Sequence, residues 1–135
     1  MPHLPAPKAL RLGHLLRRNA PYVHFVESAD DALDEARAGG ASIHRVAGGG
    51  LRDEATLFAL VAEAMHFPRS FEPGWEAFID QLREHAYSRA TVLVVDRGDA
   101  PWKVAPLLVG TLTELWQDLA LEAPHPIHLV FLLTR

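Results

Sequence analysis

Apolar residues occur along this chain both in short continuous runs and in longer stretches with helical spacing. The runs at residues 90–95 and 127–133 are unbroken except for His128, which is typical of strands covered on both faces of a parallel sheet. Two shorter runs, at residues 22–26 and 42–47, also predict strands. The segments between these strands are long enough to hold helices.

The first helical segments are marked by their end signals. Ser28 and Asp30 can cap a short acidic helix that ends at the glycine pair beginning with Gly39. A longer helix follows, with Asp53 as its predicted N-cap and Pro68 as its stop. Its apolar stripe consists of Leu57, Phe58, Val61, Ala64 and Met65.

Two further helices are predicted from apolar stripes. One runs from Gly74 to about Tyr87, with the stripe Trp75, Phe78, Ile79, Leu82 and Ala86. The other begins near Pro106 and is expected to bury Leu108, Leu112, Leu115 and Leu119. Helices alternating with apolar strands predict an α/β fold, with a parallel sheet of three core strands joined by right-handed crossover helices. An extra strand-helix unit precedes them.

Charge divides the chain unevenly. The whole chain has a formal charge of −4, yet its first twenty residues carry four basic side chains and no acidic one, so the remainder stands at −8. We therefore expect a flexible basic arm over residues 1–20, a strand-helix extension over 21–40 and the main domain over 41–135. The acidic balance argues against direct binding to nucleic acid. It fits a cationic protein partner, or it serves solubility.

The remaining composition suggests a location. The chain has no cysteine, no apolar run of membrane-spanning length and no signal-peptide pattern, which predicts a protein of the cytoplasm without membrane contact.

Motifs for catalysis or cofactors are weak. The glycine run beginning at Gly48 follows a strand but lacks the spacing of a phosphate loop, so a flexible turn is the better interpretation. There is no HExxH motif, and the pairs Glu63/His66 and His125/His128 have no third ligand at a recognisable spacing. No serine lies in a nucleophile elbow. We therefore expect no catalysis, no metal and no cofactor.

The helix predicted from Gly74 to about Tyr87 carries the most informative face. Glu76 and Asp80 lie four residues apart, and Arg83 and Tyr87 continue the same face. A solvated helix flank with an Asp80–Arg83 ion pair explains this pattern on spacing alone.

A wider segment gives that face a second interpretation. Residues 67–82 resemble the signature segment of the barstar family, in which a proline precedes an aromatic-containing loop and a helix with the pattern Asp-Ala, apolar residue, Asp-x-Leu. The matching residues are Pro68, Phe71, Trp75, Ala77, Phe78, Asp80 and Leu82, with Glu76 in place of the first aspartate. The order of elements from about residue 41 to 134 also fits.

This resemblance implies a protein inhibitor of a cationic ribonuclease, monomeric when free, which protects its own bacterial cell in the manner of an immunity protein. In the family, the loop and helix block the active-site cleft of the nuclease, and a late acid from the last helix joins them at the position of Asp118. The partner-binding residues implied here are Arg69, Ser70, Phe71, Glu72, Trp75, Glu76, Asp80, Arg83 and Asp118.

Departures from the family pattern keep two alternatives open. Glu72, Gly74, Ser70, Ile79 and Arg83 differ from the usual residues. Ser70 and Arg83 favour the first alternative, an interaction module for a different basic partner. The second is an enzyme or metal binder that uses Asp96, at the end of a strand, together with Glu76 and Asp80.

Overall fold

A computed structural model of the chain describes residues 7–133. Its centre is one sheet of parallel strands in the order β1-β4-β3-β2. The strands are β1 (Val23–Val26), β2 (Ser42–Ala47), β3 (Thr91–Asp96) and β4 (Ile127–Leu132). The predicted parallel α/β fold is confirmed, and the extra N-terminal strand joins the same sheet by pairing with β4.

The helices cover both faces of this sheet. They are α1 (Asp30–Ala38), α2 (Glu54–Ala64), α3 (Trp75–Ser88), α4 (Asp99–Val104) and α5 (Pro106–Glu122), with short 3-10 turns at His14–Leu16 and Gly48–Gly50. None of the helices within residues 7–133 is long and apolar enough to cross a lipid bilayer.

Side chains of the central strands alternate between two hydrophobic clusters. Leu93 and Leu129 pack in the larger cluster with α2, α3 and α5. Val94 and Val130 pack in the smaller cluster with α1 and Leu15. Because neighbouring residues of a strand point to opposite faces, α3 and α5 lie on one face of the sheet and α1 on the other.

The helix starts follow local chemistry, with one correction. The Asp53 carboxylate accepts a 2.9 Å hydrogen bond from the Thr56 backbone N–H, and the Thr56 hydroxyl accepts one from the Asp53 N–H, so the predicted cap of α2 is a capping box. The N-cap of α1 is Ala29, without a side-chain hydrogen bond. Ser28 therefore does not cap this helix, and Asp30 lies inside its first turn, where its charge favours the helix dipole.

The stripe of α5 also differs from the expected one. Leu112 and Leu119 are buried as predicted, whereas Leu108 and Leu115 are only half-buried. Trp116 is fully buried instead, and its Nε1–H donates to the Ile127 carbonyl at 3.3 Å. The buried stripe thus keeps Leu112 and Leu119 but contains Val109 and Trp116 in place of Leu108 and Leu115. The short helix α4 lies in a segment with no predicted element.

Gly48 is required by a close approach of the backbone rather than by flexibility. A Cβ atom at this position would lie 2.6 Å from the Asp96 carbonyl oxygen and 2.5 Å from that of Arg97. Any side chain here would therefore separate the ends of β2 and β3.

Part of the basic arm packs against the core where the structure describes it. Leu15 is 1% exposed in the cluster beneath α1. Leu16 lies so close to Gly39 that a Cβ atom added to Gly39 would collide with the Leu16 side chain. The Lys8 N–H donates to the Phe25 carbonyl at 2.8 Å. Residues 1–6 lie outside the described residues, and the domain limits at 20 and 40 stay a prediction.

Candidate protein-binding surface

The loop before α3 is held by aromatic contacts. The rings of Phe67 and Phe71 meet edge to face with centroids 5.0 Å apart. The Phe71 backbone N–H donates to the Pro68 carbonyl at 2.9 Å, which closes a turn. Arg69 and Ser70, at the tip of this turn, are exposed. The loop therefore presents polar side chains from an anchored backbone.

Trp75 connects this loop and α3 to α2. Its ring lies 5.0 Å from that of Phe58 and 5.8 Å from that of Phe78, both edge to face. Its Nε1–H donates to the Glu54 carboxylate at 3.2 Å. The half-buried indole thus fixes where α3 begins. Its contact with a partner stays a prediction.

The exposed face of α3 carries acids and one arginine. Glu76 lies in the first turn, where its charge favours the helix dipole. Asp80 and Arg83 form an ion pair of 3.6 Å, with side chains 65% and 53% exposed. Such an exposed pair contributes about 0–1 kcal/mol to stability, so it readily opens to a competing partner.

A groove between α3 and α5 adds more acids. Arg83 and Ile79 line it from α3, and Asp118 faces them from α5. Glu114 and Glu122 line the same groove, four residues before and after Asp118. Sequence reasoning missed these two glutamates, although the i, i+4 spacing around Asp118 could have revealed them. The acids of the groove outnumber its one arginine, so this surface favours a cationic partner.

The predicted site residues fall into two groups. Phe71 and Trp75 are half-buried, with their rings against the hydrophobic core. The others are exposed: Arg69, Ser70, Glu72, Glu76, Asp80, Arg83 and Asp118. Arg83 and Asp118 share the groove, Asp80 reaches it through its ion pair with Arg83, and Glu76 lies one turn earlier on α3.

Asp96 forms an ion pair away from this surface. Its carboxylate accepts two hydrogen bonds from the Arg45 guanidinium, at 2.7 and 3.0 Å, across the ends of β2 and β3. Within residues 7–133, no cluster of potential metal ligands includes Asp96, Glu76 or Asp80. The arrangement therefore gives no support to an acidic metal or catalytic site built on Asp96.

An acidic helical groove beside an anchored polar loop is typical of a protein-binding module. The family model described as barstar (barnase inhibitor) matches residues 41–131. The chain belongs to the barstar family, and the resemblance inferred from residues 67–82 is confirmed. Neither the curated proteins nor the solved structures gave a match to the chain. The strand β1 and the helix α1 precede the matched region.

Proposed function

We propose that the surface formed by α3, α5 and the loop before α3 inhibits a ribonuclease by blocking its basic active-site cleft. The protein acts as a one-to-one binding partner and performs no catalysis itself. The observation that carries this proposal is the acidic groove in a chain of the barstar family, with Asp80 and Asp118 exposed on its two helices.

Electrostatics supports this choice of partner. A ribonuclease cleft is lined with cationic side chains that bind RNA phosphates, and carboxylates fixed on helices satisfy the same cations without being cleaved. Asp118, Glu114 and Glu122 occupy successive turns of one helix, so their negative charges form a row. A row of this kind resembles the phosphate backbone that it displaces.

The ion pair between Asp80 and Arg83 sets a condition on binding. A cation on the nuclease has to replace the Arg83 guanidinium, which lies 3.6 Å from the Asp80 carboxylate. The exchange costs little because the pair is exposed. Arg83 itself opposes a basic partner, since like charges across an interface repel each other.

The same arginine favours a second candidate function, in which this surface binds a basic protein that is not a ribonuclease. A partner with an acidic residue opposite Arg83 and basic residues opposite the row on α5 would fit it equally well. If the protein binds such a partner but inhibits no ribonuclease, the result would favour this second function over the first.

The direct experiment is a titration of ribonuclease activity. Small basic ribonucleases of the barnase type, including one encoded beside this chain's own gene if present, are assayed on a fluorogenic RNA with increasing amounts of the purified protein. We expect inhibition to be complete at one equivalent for the cognate enzyme and unchanged in EDTA.

Two results would contradict the proposal. One is cleavage of the RNA by the purified protein alone. The other is failure to inhibit any member of the panel, the neighbouring enzyme included, at a large molar excess. A matched acidic protein of similar size serves as the control for nonspecific charge effects.

A further inference from the structure

Three histidines from separate parts of the chain meet beneath the basic arm. His14 belongs to the 3-10 turn of the arm, His24 to β1 and His128 to β4. The ring centroids lie 5.1–5.2 Å apart, and each ring offers one nitrogen within 4.8 Å of the other two. Within residues 7–133 this is the cluster whose geometry could hold a metal ion.

Hydrogen bonds fix which ring nitrogens are free. His128 Nε2 lies 2.9 Å from the Arg17 carbonyl oxygen, and His14 Nε2 lies 2.9 Å from that of Pro21. A carbonyl only accepts, so both rings carry a proton on Nε2 and keep a lone pair on Nδ1. Backbone carbonyls hold metal-ligating histidines in the same way.

The third ring completes the set. His24 Nε2 lies 2.9 Å from His128 Nδ1, the atom that keeps its lone pair. Zinc–nitrogen bonds of about 2.0–2.1 Å place the nitrogens of a tetrahedral site about 3.3 Å apart. An ion would therefore replace one ring-to-ring hydrogen bond with two coordinate bonds, once His24 carries its proton on Nδ1.

We propose that His14, His24 and His128 form a binding site for a late first-row divalent cation of the zinc class. Three imidazole ligands suit such ions and leave a fourth position for water or an anion. His14 and His24 precede the region matched by the family model, and all three histidines lie on elements that the proposed inhibitory surface does not use.

The neutral state of His24 and His128 favours metal binding at pH 7. Burial, with a smaller effect of the neighbouring imidazoles, lowers the pKa of His24 to about 3. Burial also lowers the pKa of His128 to about 4, despite its hydrogen bond to Arg17. Both rings are therefore neutral at pH 7, and no proton has to leave before the ion binds.

A cleft gives the ion a path to these rings. It runs between the arm and β1, and both His14 and His24 line it. Lys8 and Arg11 also line it, so their charges oppose a cation and favour an anion in the fourth position.

In a second group of histidines, ring nitrogens form hydrogen bonds with nearby backbone carbonyls and a hydroxyl. His44 uses Nδ1 toward the Ala64 carbonyl and Nε2 toward the Ser42 hydroxyl, at 2.9 and 2.7 Å. His85 uses Nε2 toward the Met65 carbonyl at 2.9 Å. These rings hold the end of α2 in place and are not arranged around a common point.

A bound ion would connect two parts of the chain. His14 comes from the arm, whereas His24 and His128 come from the neighbouring strands β1 and β4. An ion bound to all three joins the arm to the sheet and stabilises the folded state by an amount that grows with the logarithm of the free ion concentration above its dissociation constant.

The test is calorimetric titration of the full chain, stripped of metal with EDTA and dialysed, with Zn²⁺ alone at pH 7.5. We expect one equivalent to bind and the melting temperature to rise. His14→Gln removes a half-buried ligand and is expected to weaken binding at least about 10-fold, the lower end of the loss seen when even a supporting residue is removed. The matched control is His125→Gln, an exposed histidine next to β4, which is expected to bind as the wild type does.

Equal zinc affinity in the wild type and His14→Gln would overturn the proposal, as would the absence of zinc binding by the wild type. Ring-nitrogen NMR of the wild type provides an independent measurement that needs no variant. We expect Zn²⁺ to shift the signals of His14, His24 and His128. Shifts confined to the other histidines would likewise refute the site.

Discussion

Replacing Leu15 with alanine tests whether the basic arm is part of the folded domain. Leu15 is 1% exposed and packs in the cluster formed by α1 and the sheet. Leucine-to-alanine changes at fully buried sites cost about 2–5 kcal/mol through lost burial and the remaining cavity. Leu15 lies in a short 3-10 turn that can partly close the cavity, so we expect a loss of about 2–3 kcal/mol in the free energy of unfolding.

Leu12→Ala is the matched control in the same segment. Leu12 is 59% exposed, so its truncation is expected to change stability by less than about 0.5 kcal/mol. Urea unfolding followed by circular dichroism, in EDTA, measures both variants. If Leu15→Ala is no less stable than Leu12→Ala, the arm does not pack as described.

Two other predictions concern charge. Arg83→Ala is expected to raise the affinity for a ribonuclease or leave it unchanged, and a large loss of affinity would contradict the proposed orientation. Association of the wild type is expected to slow as the salt concentration rises, because salt screens the long-range attraction to a basic cleft. Stopped-flow kinetics measures both effects. Burial lowers the pKa of both His44 and His85 despite their carbonyl hydrogen bonds, and nearby His66 lowers both further. Histidines of the unfolded chain titrate near pH 6.5, so the stability that these two provide is present above that pH and is lost as the pH falls below it. Urea unfolding at pH 7 and pH 5 measures how much stability is lost as the pH falls. We expect His85→Gln to lose less stability than the wild type, and equal losses would refute this.

The sheet and most helices could be predicted because their patterns are local. The unbroken apolar runs of β3 and β4 indicate strands covered on both faces, and Val92 to Val95 are indeed fully buried. The stripe of α3 repeats at helical spacing, and Phe78, Leu82 and Ala86 are buried on it. Patterns of this kind require only that one face of an element meets the core.

Contacts between distant segments could not be predicted in the same way. His24 and His128 are separated by 104 positions, so no spacing rule connects them before the order of the strands is known. Leu15 lies in a short apolar-basic stretch whose covering surface comes from α1. In α5, the stripe is set by the indole of Trp116 and its hydrogen bond to Ile127, which leucine spacing alone does not reveal.

The site residues could be predicted in part. The exposed acids Glu76 and Asp80 could be found from helical spacing, and Asp118 from the family resemblance. The groove that joins Asp118 to Arg83 depends on how α3 and α5 pack side by side, and this also brings in Glu114 and Glu122. Their role in binding stays a prediction until a partner is measured.

The most direct test of the central claim is the affinity of Asp80→Ala for the ribonuclease that the wild type inhibits. Truncating a carboxylate that pairs with a buried cation leaves that cation unsatisfied, so we expect a loss of at least about 2 kcal/mol, or roughly 30-fold. The complex of barnase with barstar, the inhibitor that gives this family its name, is among the complexes on which that range rests. Asp31→Ala is the matched control, because it removes the same charge from an exposed position of α1 on the other face of the sheet. We expect weaker binding for Asp80→Ala alone, with both variants as stable as the wild type. Unchanged affinity in Asp80→Ala, or an equal loss in Asp31→Ala, would contradict it.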